Sequence, residues 1–374
     1  MTEPPAKKQN DPNAAQDGPD AYEDGILPPP IYDAPVTPEE DLWFLPGPIE
    51  EFEPGASPLL YDRRDTQKGL QKWHLAEAAH YRALVRAAEA LARYAERLKT
   101  LPSDLVERVA LQSVSAILRS EGVWQAPEHI ALFRALRIGS QEETRDLERA
   151  SWAVRRLVAG RRDDPFDDGL HRFLGRKALE DPSDLPGEGQ AAGPELAALG
   201  ATWQRLLQGA GELHPLTRGA CGLFLWRRLS VTSIDMALEP MVAMSLMAAG
   251  SQAPFAPMPD SLPQLHARAQ DPEISLGLYY QTVEQGALAA LLELDRLQTW
   301  REKARAETAD LQGRTPARMI DAALRFPVFS AELAARMAGC SLMSARRNLN
   351  LFQARGLMRE VTGQQRYRFW AAQL

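Results

Sequence analysis

Few side chains in this 374-residue sequence have a type and spacing suited to metal binding or nucleophilic chemistry. It contains six histidines and only two cysteines, Cys221 and Cys340, which are far apart in the chain. His74 and His80 are six positions apart, which places them on different faces of a helix and prevents them from sharing a metal ion. The acidic run at 161–168 begins with two arginines, and we interpret it as a solvated loop. These residues therefore predict no metal site, no catalytic group and no bound cofactor.

The segment that begins at His214 reads His-Pro-Leu-Thr-Arg-Gly-Ala-Cys-Gly-Leu-Phe-Leu. It resembles the Fic-domain signature, in which His-Pro-Phe precedes an acidic residue, Gly-Asn-Gly-Arg and a second arginine. That resemblance implies a histidine general base, a carboxylate that holds Mg²⁺ and a glycine-rich turn that binds the phosphates of ATP. Here Arg218 occupies the carboxylate position, Ala220, Cys221 and Gly222 replace Asn, Gly and Arg, and Leu225 replaces the second arginine.

An arginine at the metal-ligand position repels Mg²⁺, so nucleotide chemistry at this segment would lack its main electrostatic support. Two interpretations of the segment stay open. It is an inactive scaffold derived from a Fic domain, or it is a helix start at which His214 and Pro215 match the signature by coincidence. A protein-modifying enzyme that works through His214 is the alternative function.

Residues 314–374 carry the pattern that says most about function. The spacing of apolar residues predicts three helices, at 316–326, 331–337 and 342–354. Pro327 ends the first helix, and Ser330 and Ser341 can cap the second and third through their hydroxyl groups. Gly339 can take the positive φ of the tight turn between the second and third helices. This arrangement is a helix-turn-helix.

The third of these helices has two distinct faces. At 100° per residue, the inward face holds Leu342, Ala345, Leu349 and Phe352. The opposite face holds Met343, Ser344, Arg347, Asn350 and Leu351, with Arg346 and Asn348 at its flanks. Arginine and asparagine on an exposed helix face can donate hydrogen bonds to base edges in the major groove of DNA.

After Gly356 the period changes from 3.6 to 2, which predicts a two-stranded hairpin over 357–361 and 365–370. The three helices and this basic hairpin predict a winged helix that binds double-stranded DNA, with the hairpin arginines on phosphates. The predicted contact residues are Ser341, Met343, Ser344, Arg346, Arg347, Asn350, Gln364, Arg366 and Arg368. The alternative is a winged helix that serves as a protein-interaction or dimerisation module.

Residues 66–313 should position this tail. Their apolar spacing predicts a helical body. Helical spacing occurs at 67–98, 105–118, 127–137, 142–159, 195–208, 215–229, 233–249 and 276–311, with a break at Gly286 as an open alternative. A polar, Gly/Pro-rich stretch at 181–194 divides the body into lobes at 66–180 and 195–313. The predicted fold class is therefore mainly α: a helical body followed by a winged helix-turn-helix with a small β-hairpin wing.

The tail sequence Leu357-Met-Arg-Glu-Val-Thr-Gly-Gln-Gln-Arg-Tyr-Arg-Phe-Trp370 is similar to that of a bacterial family of unknown function. The family, often encoded on alphaproteobacterial plasmids, has a helical domain and a C-terminal helix-turn-helix, and its tail lacks an equivalent of Met358. The resemblance extends to 115–122 and 147–157. It implies a DNA-binding regulator or plasmid-maintenance factor, with the helical body providing homodimerisation or partner binding.

Charge is distributed unevenly along the chain. Residues 1–60 hold 2 Lys and 13 acidic residues, and residues 314–374 hold 10 Arg and 3 acidic residues. An acidic arm and a basic tail are typical of a protein with an anionic partner. The arm, 1–65, is Pro-rich and predicted to be largely disordered, and its apolar part at 26–49 either packs on the body or serves as a linear motif for another protein. The absence of a signal peptide, a membrane span and a cysteine framework predicts a cytoplasmic protein.

Overall fold

Amphipathic helices account for most of the structure, which is a computed structural model. It describes residues 63–102, 105–136, 141–160, 166, 169–175, 193–262, 271–363 and 368–374. Residues 1–62 of the predicted arm and the 181–192 part of the predicted linker lie outside these ranges, whereas residues 63–65 of the arm form the start of the first helix and were wrongly assigned to the arm. The helices are α1 (Arg63–Ala79), α2 (Tyr81–Lys99), α3 (Leu105–Ser120), α4 (Pro127–Leu136), α5 (Gln141–Ala159), α6 (Leu170–Leu174), α7 (Gly193–Gly209), α8 (Pro215–Arg228), α9 (Leu238–Ala249), α10 (Pro272–Glu307), α11 (Thr315–Arg325), α12 (Ala331–Ala338) and α13 (Leu342–Ala354). The strands are β1 (Phe329–Ser330), β2 (Met358–Glu360) and β3 (Phe369–Ala372). The fold class is mainly α, as predicted.

The long helix α10 forms the axis of the body. It packs along α2 and also contacts α1, α3, α8 and α11, while α8 packs against α9. The core beside α8 is aromatic: the indoles of Trp203 and Trp226 meet edge to face with ring centroids 5.6 Å apart. Both indoles are fully buried, and the Nε1 of Trp203 donates a 3.0 Å hydrogen bond to the carbonyl oxygen of Gly222. The described residues belong to one compact unit, and the division into lobes and tail stays a prediction.

The predicted helix at 67–98 is two helices, because the chain bends at His80. The imidazole Nε2 of His80 donates to the carbonyl oxygen of Glu273 at 2.8 Å. Gly277 lies against the same ring, and a Cβ at that position would be 2.9 Å from it. The break is thus made by a contact with α10, which the local apolar spacing does not encode.

Helix α9 begins at Leu238 and not at the predicted residue 233. The guanidinium of Arg227 donates to the carbonyl oxygens of Ser233 and Met236 at 2.7 and 2.6 Å, which holds residues 233–237 in a turn. The carboxylate of Glu121 accepts the backbone N–H of Leu238 at 2.6 Å and caps the helix from a distant part of the chain. Arg149 pairs with the same carboxylate at 2.8 Å.

Helix α10 runs without interruption from Pro272 to Glu307, so Gly286 does not break it. A Cβ on Gly286 would lie 2.0 Å from the carbonyl oxygen of Pro257. The glycine therefore allows the segment before residue 262 to cross the helix at close range. The start of α10 is capped by Asp271, whose Oδ1 accepts the N–H of Glu273 at 3.1 Å.

The C-terminal strands form a three-stranded antiparallel sheet in the order β1-β3-β2. Trp370 on β3 is level with Phe329 of β1 and with Glu360 of β2. The hairpin of β2 and β3 was predicted, although β3 starts at Phe369 and extends to Ala372. The two-residue strand β1 was not predicted, since strand alternation cannot be detected over two residues.

Candidate nucleic-acid interface

Helices α12 and α13 are connected by the turn that the sequence predicts. The hydroxyl of Ser330 accepts the N–H of Leu333 and the hydroxyl of Ser341 accepts the N–H of Ser344, each at 3.2 Å. Gly339 ends α12 in the left-handed conformation with φ of 64°. The two caps and the glycine turn that the sequence predicts are thus present in the structure.

The buried face of α13 consists of Ala345, Leu349 and Phe352, none of which is exposed to solvent. Leu342 was predicted to belong to this face but is 37 % exposed. It is the first residue of the helix, and the buried face begins one turn later. Asn348, predicted at a flank, is also buried and donates through Nδ2 to the carbonyl oxygen of Ser344 at 2.8 Å.

The opposite face of α13 is open to solvent. Five predicted contact residues are exposed on it: Ser341, Met343, Arg346, Arg347 and Asn350, while Ser344 is half-buried. The guanidinium of Arg346 is 3.7 Å from the carboxylate of Glu332, with both side chains well exposed. Among the described residues no carboxylate pairs with Arg347. The structure therefore brings these six predicted residues together on or beside one helix, with the central arginine available to a ligand.

The remaining predicted residues lie in the hairpin. Gln364 and Arg366 fall outside the described residues. The guanidinium of Arg368 lies 5.1 Å from the ring centroid of Trp370 and donates to the Oε1 of Gln353 on α13 at 3.1 Å. Arg368 thus connects the hairpin to α13, and it lies near the exposed face of that helix.

Two tail arginines that sequence reasoning counted as part of the basic surface are paired with body residues. Arg355 makes a bidentate ion pair with Asp310, at 2.6 and 2.7 Å. Arg359 pairs with Glu128 of α4 at 2.6 Å. Asp310 and Glu128 neutralise these two arginines. The positive charge that the tail offers to an anionic partner is therefore smaller than the count of its arginines suggests.

A buried arginine also anchors the tail to the body. Arg108 of α3 donates to the carbonyl oxygens of Leu324 and Phe326 at 2.8 and 3.2 Å, and to that of Ala323. Burial lowers the pKa of Arg108 to about 10, partly opposed by the charge of Glu293, so the side chain remains a cation near neutrality. Sequence reasoning missed Arg108, because an arginine on an apolar helix gives no sign of its partner.

A cavity of about 240 Å³ lies next to this anchor, between α3, α4, α10 and the end of the chain. Its lining includes Arg108, Glu128, Glu293 and Arg359 together with Ala371 and Ala372 of β3. The two arginines and two glutamates of this lining balance each other in formal charge.

The contacts of the His214 segment are those of a helix N-terminus. The Nδ1 of His214 accepts the N–H of Leu216 at 3.2 Å, and the backbone N–H of His214 donates to the carboxylate of Glu77 at 3.1 Å. Burial lowers the pKa of His214, with the charge of Glu77 acting in the opposite direction. Burial also raises the pKa of the Cys221 thiol to about 12, which makes it a poor nucleophile.

The glycines of the same segment are enclosed by the core. A Cβ on Gly219 would lie 2.6 Å from the hydroxyl of Tyr279, and a Cβ on Gly222 would lie 2.8 Å from the sulfur of Met247. Both glycines are inside α8 and buried. They permit close packing of α8 and leave no open space at these positions for phosphate groups.

No protein-family model matches the chain, and a search of curated proteins finds no significant match. Within the described ranges no group of three or more His, Cys, Asp or Glu side chains could hold a metal ion. In the same part of the chain no helix is long and apolar enough to cross a membrane.

Proposed function

We propose that this chain is a double-stranded-DNA-binding protein, a transcriptional regulator or plasmid-maintenance factor, whose residues 314–374 form a winged helix. The observation that carries the proposal is the exposed face of α13, which keeps Arg347 solvent-accessible while the tail is packed on the helical body.

The order of elements supports the same proposal. The sequence α11-β1-α12-α13-β2-β3 contains two helices joined by a tight turn and then a hairpin, closed by the β1-β3 pairing. In such a unit the second helix of the turn enters the major groove and its first turns contact base edges. Arg347 and Asn350 are of the types that read guanine and adenine.

The arginines of the tail divide into two groups by their contacts. Arg355 and Arg359 are held by carboxylates of the body, whereas Arg347 has no carboxylate partner among the described residues. Arg347 is therefore the residue expected to read a base. Arg366 would contact phosphates from the hairpin, which contributes affinity without base identity.

The test uses the full chain and a preferred duplex obtained by selection from random DNA. Arg347→Ala should weaken binding to that duplex by about 1–3 kcal/mol more than binding to random DNA. Arg359→Ala removes the same charge from a residue already paired with Glu128, and should change neither affinity strongly. Arg366→Ala should weaken both affinities alike and reduce the salt dependence by about one unit of slope.

Two results would contradict the proposal. One is a full chain with no salt-dependent affinity for any duplex. The other is an equal effect of Arg347→Ala and Arg359→Ala on specific binding, because the exposed face of α13 would then have no special part in recognition.

A further inference from the structure

Helix α10 presents an apolar stripe to solvent along its first five turns. Ile274, Leu278, Leu288 and Leu292 are 73, 44, 41 and 53 % exposed. Gln281 and Gln285 lie between them and are exposed as well. At 100° per residue all six Cα positions fall within about 40° of one line along the helix. We call Ile274, Leu278, Gln281, Gln285, Leu288 and Leu292 the α10 stripe.

The spacing of the α10 stripe alternates regularly between four and three residues. This is the a/d pattern of a coiled-coil seam, and at 1.5 Å per residue it extends over about 27 Å. The body covers the other side of the same helix, where Leu276, Val283 and Leu294 are fully buried. A second helix could therefore lie along the stripe without displacing any described contact of the core.

The order of residues in the α10 stripe is the same from either end: two apolar residues, two glutamines, two apolar residues. We propose that the occupant is a second copy of this chain, whose α10 lies antiparallel on the first across a two-fold axis that crosses the stripe midway between Gln281 and Gln285. Ile274 is then level with Leu292 of the second copy, and Leu278 with Leu288 of that copy. A two-fold interface must be complementary to itself, and this stripe is.

The glutamines specify the register of this pairing. Gln281 of each copy is level with Gln285 of the other, so their amides can donate to and accept from each other at the centre. Any shift along the axis puts an amide against leucine, and a polar residue at such a seam fixes register in this way. An unrelated amphipathic helix would have no reason to match the central amides.

The charges at the two ends of the stripe are complementary in the same register. Asp271 at the N-terminal end and Arg296 at the C-terminal end lie on the same side of the stripe, so each meets the other across the two-fold axis. The Oδ2 of Asp271 is also 3.7 Å from the Nζ of Lys72, so Arg296 of the second copy would join an ion pair that already exists. Among the described residues Arg296 has no carboxylate partner, whereas its neighbour Asp295 is already paired with Arg97 at 2.8 Å. Two such pairs form per dimer. Ala289, beside the stripe, is small enough to let the helices approach.

This dimer goes beyond the proposed function and does not depend on it, since the test below contains no DNA. Should both proposals hold, the two copies of α13 would be related by the same two-fold axis. The target would then be a palindromic site with two half-sites.

The test is sedimentation equilibrium of the full chain and of charge variants in the middle of the stripe. The wild-type chain should show twice the 41.5 kDa chain mass. Leu278→Lys and Leu288→Glu should each raise the dimer dissociation constant by about 100-fold or more, because an unpaired charge faces leucine. Ile234→Lys, at an exposed apolar residue away from α10, should leave the dimer unchanged.

Mixing distinguishes this dimer from every other arrangement. In the antiparallel register the introduced lysine of one chain faces the introduced glutamate of the other, while the second layer keeps its two leucines. A 1:1 mixture of Leu278→Lys and Leu288→Glu should therefore regain the dimer that each variant has lost. This rescue also shows that both variants are folded.

Four results would overturn the proposal. The wild-type chain could sediment as a monomer at every concentration up to about 0.1 mM. The single variants could dimerise as the wild type does. The mixture could stay monomeric although both variants unfold cooperatively. A monomer that becomes dimeric only when residues 1–62 are deleted would also count against it, since the arm would then be the occupant in the intact chain.

Discussion

The indole Nε1 of Trp300 on α10 donates a 2.9 Å hydrogen bond to the carbonyl oxygen of Leu357, the residue that precedes β2. Trp300 is buried, and it connects the axis of the body directly to the C-terminal hairpin. Together with the contacts of Arg108 and Arg355, this bond holds α13 in a defined orientation relative to α10.

Trp300→Phe tests this connection. The substitution removes the N–H and reduces packing, while the carbonyl oxygen of Leu357 keeps the backbone N–H of Gln373 at 3.0 Å. The free energy of unfolding in urea should therefore fall by about 1–2 kcal/mol. Trp124 is 78 % exposed. Trp124→Phe should therefore change the free energy of unfolding by less than about 0.5 kcal/mol. Equal effects of the two substitutions would mean that the hydrogen bond contributes nothing to stability.

Arg108→Met should destabilise the chain by about 2–4 kcal/mol, because it removes the donor for three carbonyl oxygens around the end of α11. Arg86→Met breaks only a surface ion pair with Glu284 and should cost less than about 1 kcal/mol. Both free energies are measured by urea unfolding. A loss below about 1 kcal/mol for Arg108→Met would show that water replaces the guanidinium without penalty.

Gly219→Ala should destabilise the chain by about 1–3 kcal/mol, since the added methyl group would collide with Tyr279, Ala248 and the backbone of Met244. Gly69, in α1, has no heavy atom within 4 Å of the corresponding position. Gly69→Ala should therefore stabilise the protein by about 0.5–1 kcal/mol through the higher helix propensity of alanine. Opposite signs in thermal or urea unfolding are the expected result, and a neutral Gly219→Ala would contradict the close packing of α8.

His214 should make stability dependent on pH. Burial lowers its native pKa below the ordinary 6.5, so the unfolded chain binds a proton first as the pH falls. Neutral His214 contributes fully to the free energy of unfolding above pH 6.5, and this contribution is lost as the pH falls below that value. His214→Asn keeps a side chain that can cap α8 and removes the titration. Urea unfolding between about pH 5 and 8 should then show a shallower pH dependence than the wild type, and identical slopes would exclude His214 as the cause.

The acidic arm should compete with DNA for the basic tail. Deleting residues 1–25 should tighten non-specific DNA binding at low salt and have little effect at high salt, where charges are screened. A chain of unchanged length, with the acidic residues of this segment replaced by their amides, is the matched control and should behave like the deletion. Weaker binding after either change would contradict competition by charge.

Local interactions in the C-terminal part of the chain could be predicted from the sequence. Ser330 and Ser341 are capping residues, and Gly339 takes a positive φ in the turn between their helices. Each of these features depends on residues within four positions of one another. Apolar spacing likewise predicts the presence of most helices. It also predicts the exposed face of α13 that contains Arg347.

The tertiary structure alone decided which cations of the tail stay free. Arg355 and Arg359 look like Arg347 in the sequence, but Asp310 and Glu128 neutralise them. It also decided the bend at His80, the pairing of β1 with β3 and the start of α9, where the carboxylate of Glu121 caps the helix. All of these depend on partners far away in the chain, and pairing at such distances is set by packing of the whole core, which no local pattern of residues encodes.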